Sequence, residues 1–307
     1  MDDSLLSSLD QSWKNFSGAW KSARTKSSEK ATHDLRVNTR RLIAILELAK
    51  AVSGDAEITK LQRRFKKVLK RMGPLRDTQV LLVNISRIQQ AGLVSDFKKK
   101  LEQRERREID AIRDELRRGR KRKLSKAVEG IRVGFCNLQA ELGRKKVYRS
   151  VDRVLSSRRN ELLRAERRFH RSQPISEDLL HAMRIALKKF RYVIEAAQPL
   201  LDDSARQRTK EMHAFQQLIG ESRDLELLRT ALEKWANKRG KKLAVVPALD
   251  RLQQKRDGLL KKIFESLTEL EQTLTGTLKP VVEKTHAIGT AATEPPKKDF
   301  RNAAAAG

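Results

Sequence analysis

His33-Asp34-Leu35-Arg36-Val37-Asn38-Thr39-Arg40-Arg41-Leu42 is the stretch whose reading decides the fold, because the chain contains it twice. Its second copy, 148 residues downstream, is His181-Ala182-Met183-Arg184-Ile185-Ala186-Leu187-Lys188-Lys189-Phe190. His and the first Arg are kept, the paired bases are kept in charge, and Leu, Val and Leu become Met, Ile and Phe. A Ser-Glu pair stands five residues ahead of each His (Ser28-Glu29 and Ser176-Glu177), and Glu47 and Glu195 follow in the same register. Further on, Gly73-Pro74-Leu75-Arg76-Asp77 is answered by Gly220-Glu221-Ser222-Arg223-Asp224 at an offset of 147. Two separate motifs in nearly one register identify an internal duplication.

An α-helix advances about 100° per residue, so positions i, i+3, i+7 and i+11 share a stripe. From His33 that stripe takes Arg36, Arg40 and Ala44, with Arg41 at its edge, while Leu35, Leu42, Ile45, Leu46 and Ala49 lie opposite. From His181 it takes Arg184, Lys188 and Tyr192, with Lys189 at its edge; Met183, Leu187, Phe190, Val193 and Ile194 lie opposite. Each copy therefore reads as a helix with one core face and one cationic face.

The rest of the chain agrees with an all-α fold. Only 14 of the 307 residues are Gly and 7 are Pro, and good helix formers dominate. Periodicity and breakers predict helices near 4–25, 28–51, 56–72, 75–91, 94–118 and 122–142. In the second half they predict 147–171, 175–198, 203–219, 223–238, 247–274 and a weaker one near 278–287. Gly73 and Gly220 read as helix ends, and Gly54, Gly92, Gly143 and Gly240 as turn or cap positions. The duplication divides the chain into two helical bundles, 1–145 and 146–288. The segment 289–307 lacks an apolar period and reads as a disordered tail.

Charge points to the partner. There are 68 Lys and Arg against 39 Asp and Glu, a formal net charge of +29. Such an excess destabilises a compact state by self-repulsion unless a polyanion accompanies it. Arg presents a planar fork that fits phosphate oxygens, and Lys a point charge. Spaced by roughly a helical turn, they can grip successive phosphoryl groups of an extended chain. A His among Arg residues tends to the neutral form and keeps one hydrogen-bond donor for an anion. A basic helix face is more often merely solvated and a lone His more often structural; recurrence of the whole pattern weighs for function. A second basic face runs through Lys60, Arg63, Arg64, Lys67, Lys70 and Arg71. Arg76 and Arg223 can either reach a ligand or pair with Glu47 or Glu195, whereas Asp77 and Asp224 read as structural acids at helix starts. The run Arg117-Arg118-Gly119-Arg120-Lys121-Arg122-Lys123 reads as a solvated connection.

Other chemistries find little support. Cys136 is the single cysteine, so neither an intramolecular disulfide nor a Cys-rich metal site can form; flanking the stripe Leu124, Val128, Ile131, Phe135, it reads as a small packing residue. No Walker loop or metal-ligand spacing occurs, and no stretch suits a signal peptide or a membrane span. The expectation is a cytoplasmic, non-enzymatic protein without cofactor or bound metal. Aromatic residues make up only 5% of the chain, and no stacking platform for single-stranded nucleic acid is evident. Nonspecific RNA or DNA binding is thus the second reading.

With its twin His-x-x-Arg helices, each followed by a Gly-x-x-Arg-Asp element, the sequence resembles the CHAD family, the conserved histidine α-helical domain, over roughly residues 4–288. The resemblance implies two helical bundles related by a pseudo-twofold axis, with a basic groove or pore between them. It also implies binding of inorganic polyphosphate and association with polyphosphate granules. The surface so implied comprises His33, Arg36, Arg40, Arg41, His181, Arg184, Lys188, Lys189 and Tyr192; Arg63, Lys67, Arg76 and Arg223 complete the candidate set. Ala44 stands where the second copy has Tyr192, so that contact belongs to one half only. The triphosphatase domain that precedes many relatives has no counterpart here, since no Glu-x-Glu-x-Lys motif is present.

Overall fold

Two serines start the helices that carry the repeat. Helix α2 (Glu29–Ser53) begins behind Ser28, an extended residue whose Oγ accepts the Ala31 N–H at 3.1 Å. Helix α8 (Glu177–Ala197) begins behind Ser176, whose Oγ accepts the Leu179 N–H at 3.4 Å. Both caps satisfy a backbone donor that the first helical turn leaves without a partner. Ser28→Ala is expected to cost about 1 kcal/mol, and Ser176→Ala a similar amount; urea unfolding checks this, and an unchanged midpoint would remove the caps from the account. Gly54 closes α2 in the left-handed region (φ 72°), its N–H donating to Lys50 O at 2.8 Å, a backbone state open to glycine at little steric cost.

The computed structural model describes residues 4–275 apart from 27, 87, 89, 90, 119, 120, 142, 173 and 174. Before and after α2 run α1 (Ser4–Lys26), α3 (Ala56–Arg71), α4 (Gly73–Ile85), α5 (Ala91–Arg118) and α6 (Lys121–Glu141). Helix α7 (Arg144–His170) precedes α8; a 3-10 turn (Gln198–Leu200), α9 (Ser204–Asn237), α10 (Lys242–Glu265) and α11 (Leu267–Thr275) follow it. Every described element is a helix, as the sequence predicted. The weak helix near 278–287 and the tail 289–307 lie outside the described residues.

Helices α1 and α2 pack together, as do α7 and α8, and α2 lies directly against α8. The predicted core faces are buried: Leu35, Leu42, Ile45, Leu46 and Ala49 on α2, and Met183, Leu187, Phe190, Val193 and Ile194 on α8. One apolar cluster joins them to α1, α3 and α7 and crosses from the first half of the sequence into the second. A smaller cluster lies where the α4–α5 and α9–α10 hairpins meet, around Leu81, Ile85, Phe97, Leu228, Leu232 and Trp235.

Several boundaries differ from the sequence reading. Gly220 does not end a helix, because α9 runs unbroken through it. In the first half the same register is broken into α3 and α4 at Met72, and Gly73 opens α4 instead of closing α3. The reason stands one residue on. Pro74 has no N–H for the carbonyl four residues back and its ring collides there, whereas its counterpart Glu221 lets the helix continue. Pro247 lies inside α10, which starts at Lys242 and ends at Glu265; α11 is separate. Gly92 falls within the first turn of α5. Cys136 is exposed, because one residue beyond the buried Phe135 turns it away from the core.

Candidate functional site

Contact between α2 and α8 brings the two cationic stripes together. Arg36 is most strongly affected by burial and then by Arg40 and Arg76, which together push its pKa down to about 10; Asp77 and Tyr192 oppose them. Lys188 is pushed further, to about 6, by burial and then by Arg184, Arg40 and Arg36. Arg184 is also lowered, by burial first; Arg223, Arg40 and Arg76 act in the same direction and Asp224 against. Three of the charges acting on Arg184 or Lys188 thus come from α2 and α4, on the other side of the duplication. His181 is held low by desolvation, then by Arg223, Arg184 and Lys188, and His33 by partial desolvation, then by Arg76. Both imidazoles therefore favour the neutral form, as expected from their neighbours.

Six basic side chains share this site: Arg36, Arg40 and Arg76 from α2 and α4, and Arg184, Lys188 and Arg223 from α8 and α9. The carboxylates acting among them are Asp77 and Asp224; Glu29 lies at the margin, 3.0 Å from Arg76. Burial raises the Asp224 pKa despite the opposing pull of Arg184, Arg76, Lys188 and Arg223. Arg36 is oriented by one hydrogen bond, Nη1 to Leu69 O at 3.1 Å. Arg184 Nε and His181 Nδ1 are buried with no hydrogen-bond partner among the described residues. Buried polar atoms are nearly always satisfied, so the Arg184 Nε–H, a donor among these basic side chains, marks a place where an acceptor belongs. Oxyanions supply acceptors and negative charge together.

A family model described as CHAD domain matches residues 7–233. The chain belongs to the CHAD family. A solved CHAD domain, the crystal structure of that from the plant Ricinus communis, shares its fold with a TM-score of 0.68. Sequence identity is 19%, with 91% of this chain and 93% of that chain covered. A search of curated proteins found no match.

Not every candidate residue of this CHAD domain meets the shared site. Arg41 is tied to Glu195 at 3.2 Å, across the two halves. Arg191, which the sequence reading missed, also pairs with Glu195, donates from Nε to Gln216 Oε1 at 3.1 Å and lies 4.5 Å over the Tyr192 ring. Lys189 donates to Glu161 at 2.7 Å; Arg158 pairs with the same Glu161 and with Glu47 at 2.6 Å. These edge charges thus form ion-pair networks that hold α2, α7 and α8 in register. Tyr192 is buried, as is Ala44, because the stripes run into the core where the helices meet. Tyr192 nevertheless lies close enough to act on Arg36. Arg63 and Lys67 are exposed on α3, and Lys67 faces a different cleft.

Arg76 pairs with neither Glu47 nor Glu195 but with Glu29, and Arg223 acts on His181 and Arg184. Asp224 is the acid that sequence reasoning misjudged. It sits inside α9 rather than at a helix start, and it balances cations. Its repetition beside Arg223, as Asp77 beside Arg76, was the available signal. Among the described residues no group of three or more His, Cys, Asp or Glu could hold a metal ion. No described helix is long and apolar enough to cross a membrane.

Proposed function

We propose that this CHAD domain binds inorganic polyphosphate between α2 and α8, with Arg36, Arg40, Arg76, Arg184, Lys188 and Arg223 as the main contacts. His33 and His181 donate hydrogen bonds at either end. CHAD domains are linked to polyphosphate binding in general. The observation that carries the reading is the convergence of basic side chains from both repeats on one another, with the buried Arg184 Nε and His181 Nδ1 finding no partner among the described residues. Like charges repel one another at such a site; a flexible polyanion relieves that repulsion and fills the vacant acceptor positions. The reading assigns no catalytic step, and it takes residues 1–145 and 146–288 as the two arms of the site. It places the protein in the cytoplasm, at polyphosphate granules.

Titration with long-chain polyphosphate, and with RNA at matched phosphate concentration and salt, tests the proposal. Polyphosphate is expected to bind more tightly. With six phosphate contacts, log K should fall with log salt at a slope of roughly −4, by analogy with single-stranded nucleic acids. A clear preference for RNA would replace this reading with nonspecific nucleic-acid binding.

A further inference from the structure

A cleft of about 770 Å³ opens between α1, α3, α5 and α6, and none of its lining residues belongs to the cationic site of α2 and α8. Its wall is apolar: Trp20, Met72, Ile112, Leu116 and Leu124 all line it and are all buried. Its rim is cationic, with Arg64, Lys67, Arg71, Arg118 and Lys123 against the single acid Glu115. Glu115 is already paired with Arg71, and Arg118 Nε is bonded to Asp114 O at 3.3 Å. Arg64, Lys67 and Lys123 have no hydrogen bond or ion pair with any described residue. The indole N–H of Trp20, a side chain only 4% exposed, also finds no acceptor among the described residues.

We propose that this cleft is a second ligand site, for a small organic anion with an apolar body. The body lies against Trp20, Ile112 and Leu124, and a phosphate, sulfonate or carboxylate at one end meets Arg64, Lys67 and Lys123. The volume falls within the usual range for small-molecule sites, which pair an apolar lining with a few placed polar groups. Inorganic polyphosphate suits this cleft poorly, because a highly charged chain gains nothing from an apolar wall and would have to give up water to reach it. The inference therefore stands apart from the function proposed for the α2–α8 site.

Anilinonaphthalene sulfonate, which has an aromatic body and one sulfonate, is a suitable probe. Titrated into the full chain, it is expected to bind at one saturating site with enhanced fluorescence. N-phenyl-1-naphthylamine, with the same rings and no charge, should bind at least about tenfold more weakly, a loss near 1.4 kcal/mol. Arg64→Glu combined with Lys123→Glu should weaken the sulfonate at least about tenfold while leaving the helical circular dichroism signal and the melting temperature unchanged, since both side chains are exposed. Binding that does not saturate, equal affinity for the neutral probe, or undiminished binding to a folded double variant would each overturn the proposal.

Discussion

Arg40→Ala combined with Arg184→Ala is expected to weaken polyphosphate binding by about a hundredfold or more, since each lost charge-assisted contact is worth about 1.5–3 kcal/mol. The two residues come from opposite repeats, act on one another through space, and have no ion pair to lose within the described residues. Their removal also relieves repulsion in the unbound protein, so folding should be unimpaired. The salt slope should flatten by about 1.4, or about 0.7 for each contact removed. Arg117→Ala combined with Arg122→Ala removes the same charge from exposed positions at the end of α5 and the start of α6, where helices stand in place of the solvated connection expected of this run, and should cost less than about threefold, the scale of screened surface charge. Isothermal titration of the three proteins at two salt concentrations decides the matter. Equal losses in the two double variants would mean that the net charge of +29, and not the paired stripes, does the binding.

Lys188→Met is expected to stabilise the unbound protein and weaken binding at the same time. In the folded chain burial and the three arginines push the Lys188 pKa to about 6, against 10.5 for the unperturbed side chain. Between those values the unfolded chain carries a proton that the folded chain does not. Linkage then makes this group's contribution to stability rise with pH across that window. The penalty is fully present below about pH 6 and gone above about pH 10.5. A methionine of similar volume has no charge to desolvate, so stability near neutral pH should rise by about 1–4 kcal/mol, the range found when buried ion pairs give way to apolar side chains. That pH dependence should disappear with it.

On the proposed binding mode, polyphosphate should restore the proton. Anionic oxygens beside Lys188 favour the ammonium form, so binding at pH 8 should take up as much as one proton per site, and affinity should decline as the pH rises above neutrality. Calorimetry in buffers of different ionisation enthalpy measures the uptake directly; Lys188→Met should abolish it, and Lys188→Arg should bind without it. A loss of stability in Lys188→Met, or binding of the wild type at pH 8 without proton uptake, would refute this account.

The division between what sequence and structure each decided follows from the range of the interactions. Local patterns were legible. The 3.6-residue period of Leu35, Leu42, Ile45 and Leu46 marked the core face of α2, and Ser28 and Ser176 marked helix starts because a cap needs only its own first turn. The breakers were read less well. Gly220 looked like a stop, but a lone glycine weakens a helix by only about 1 kcal/mol, whereas Pro74 in the other half removes a hydrogen bond and adds a collision. Helical tertiary packing carries α9 through the glycine.

By itself, the sequence determined an all-helical chain built from a duplicated unit, with a cationic stripe on one helix of each copy, because period, capping and repetition are properties of neighbouring residues. Only the tertiary structure decided that the two stripes meet, that Lys188 and Arg184 sit among the charges of the opposite repeat, and that Arg41 and Lys189 are held by Glu195 and Glu161. Those outcomes depend on how α2 is laid against α8. That crossing is fixed by apolar packing over separations of more than a hundred residues, while the charges, which alone could not have chosen it, take whatever partners it brings within reach.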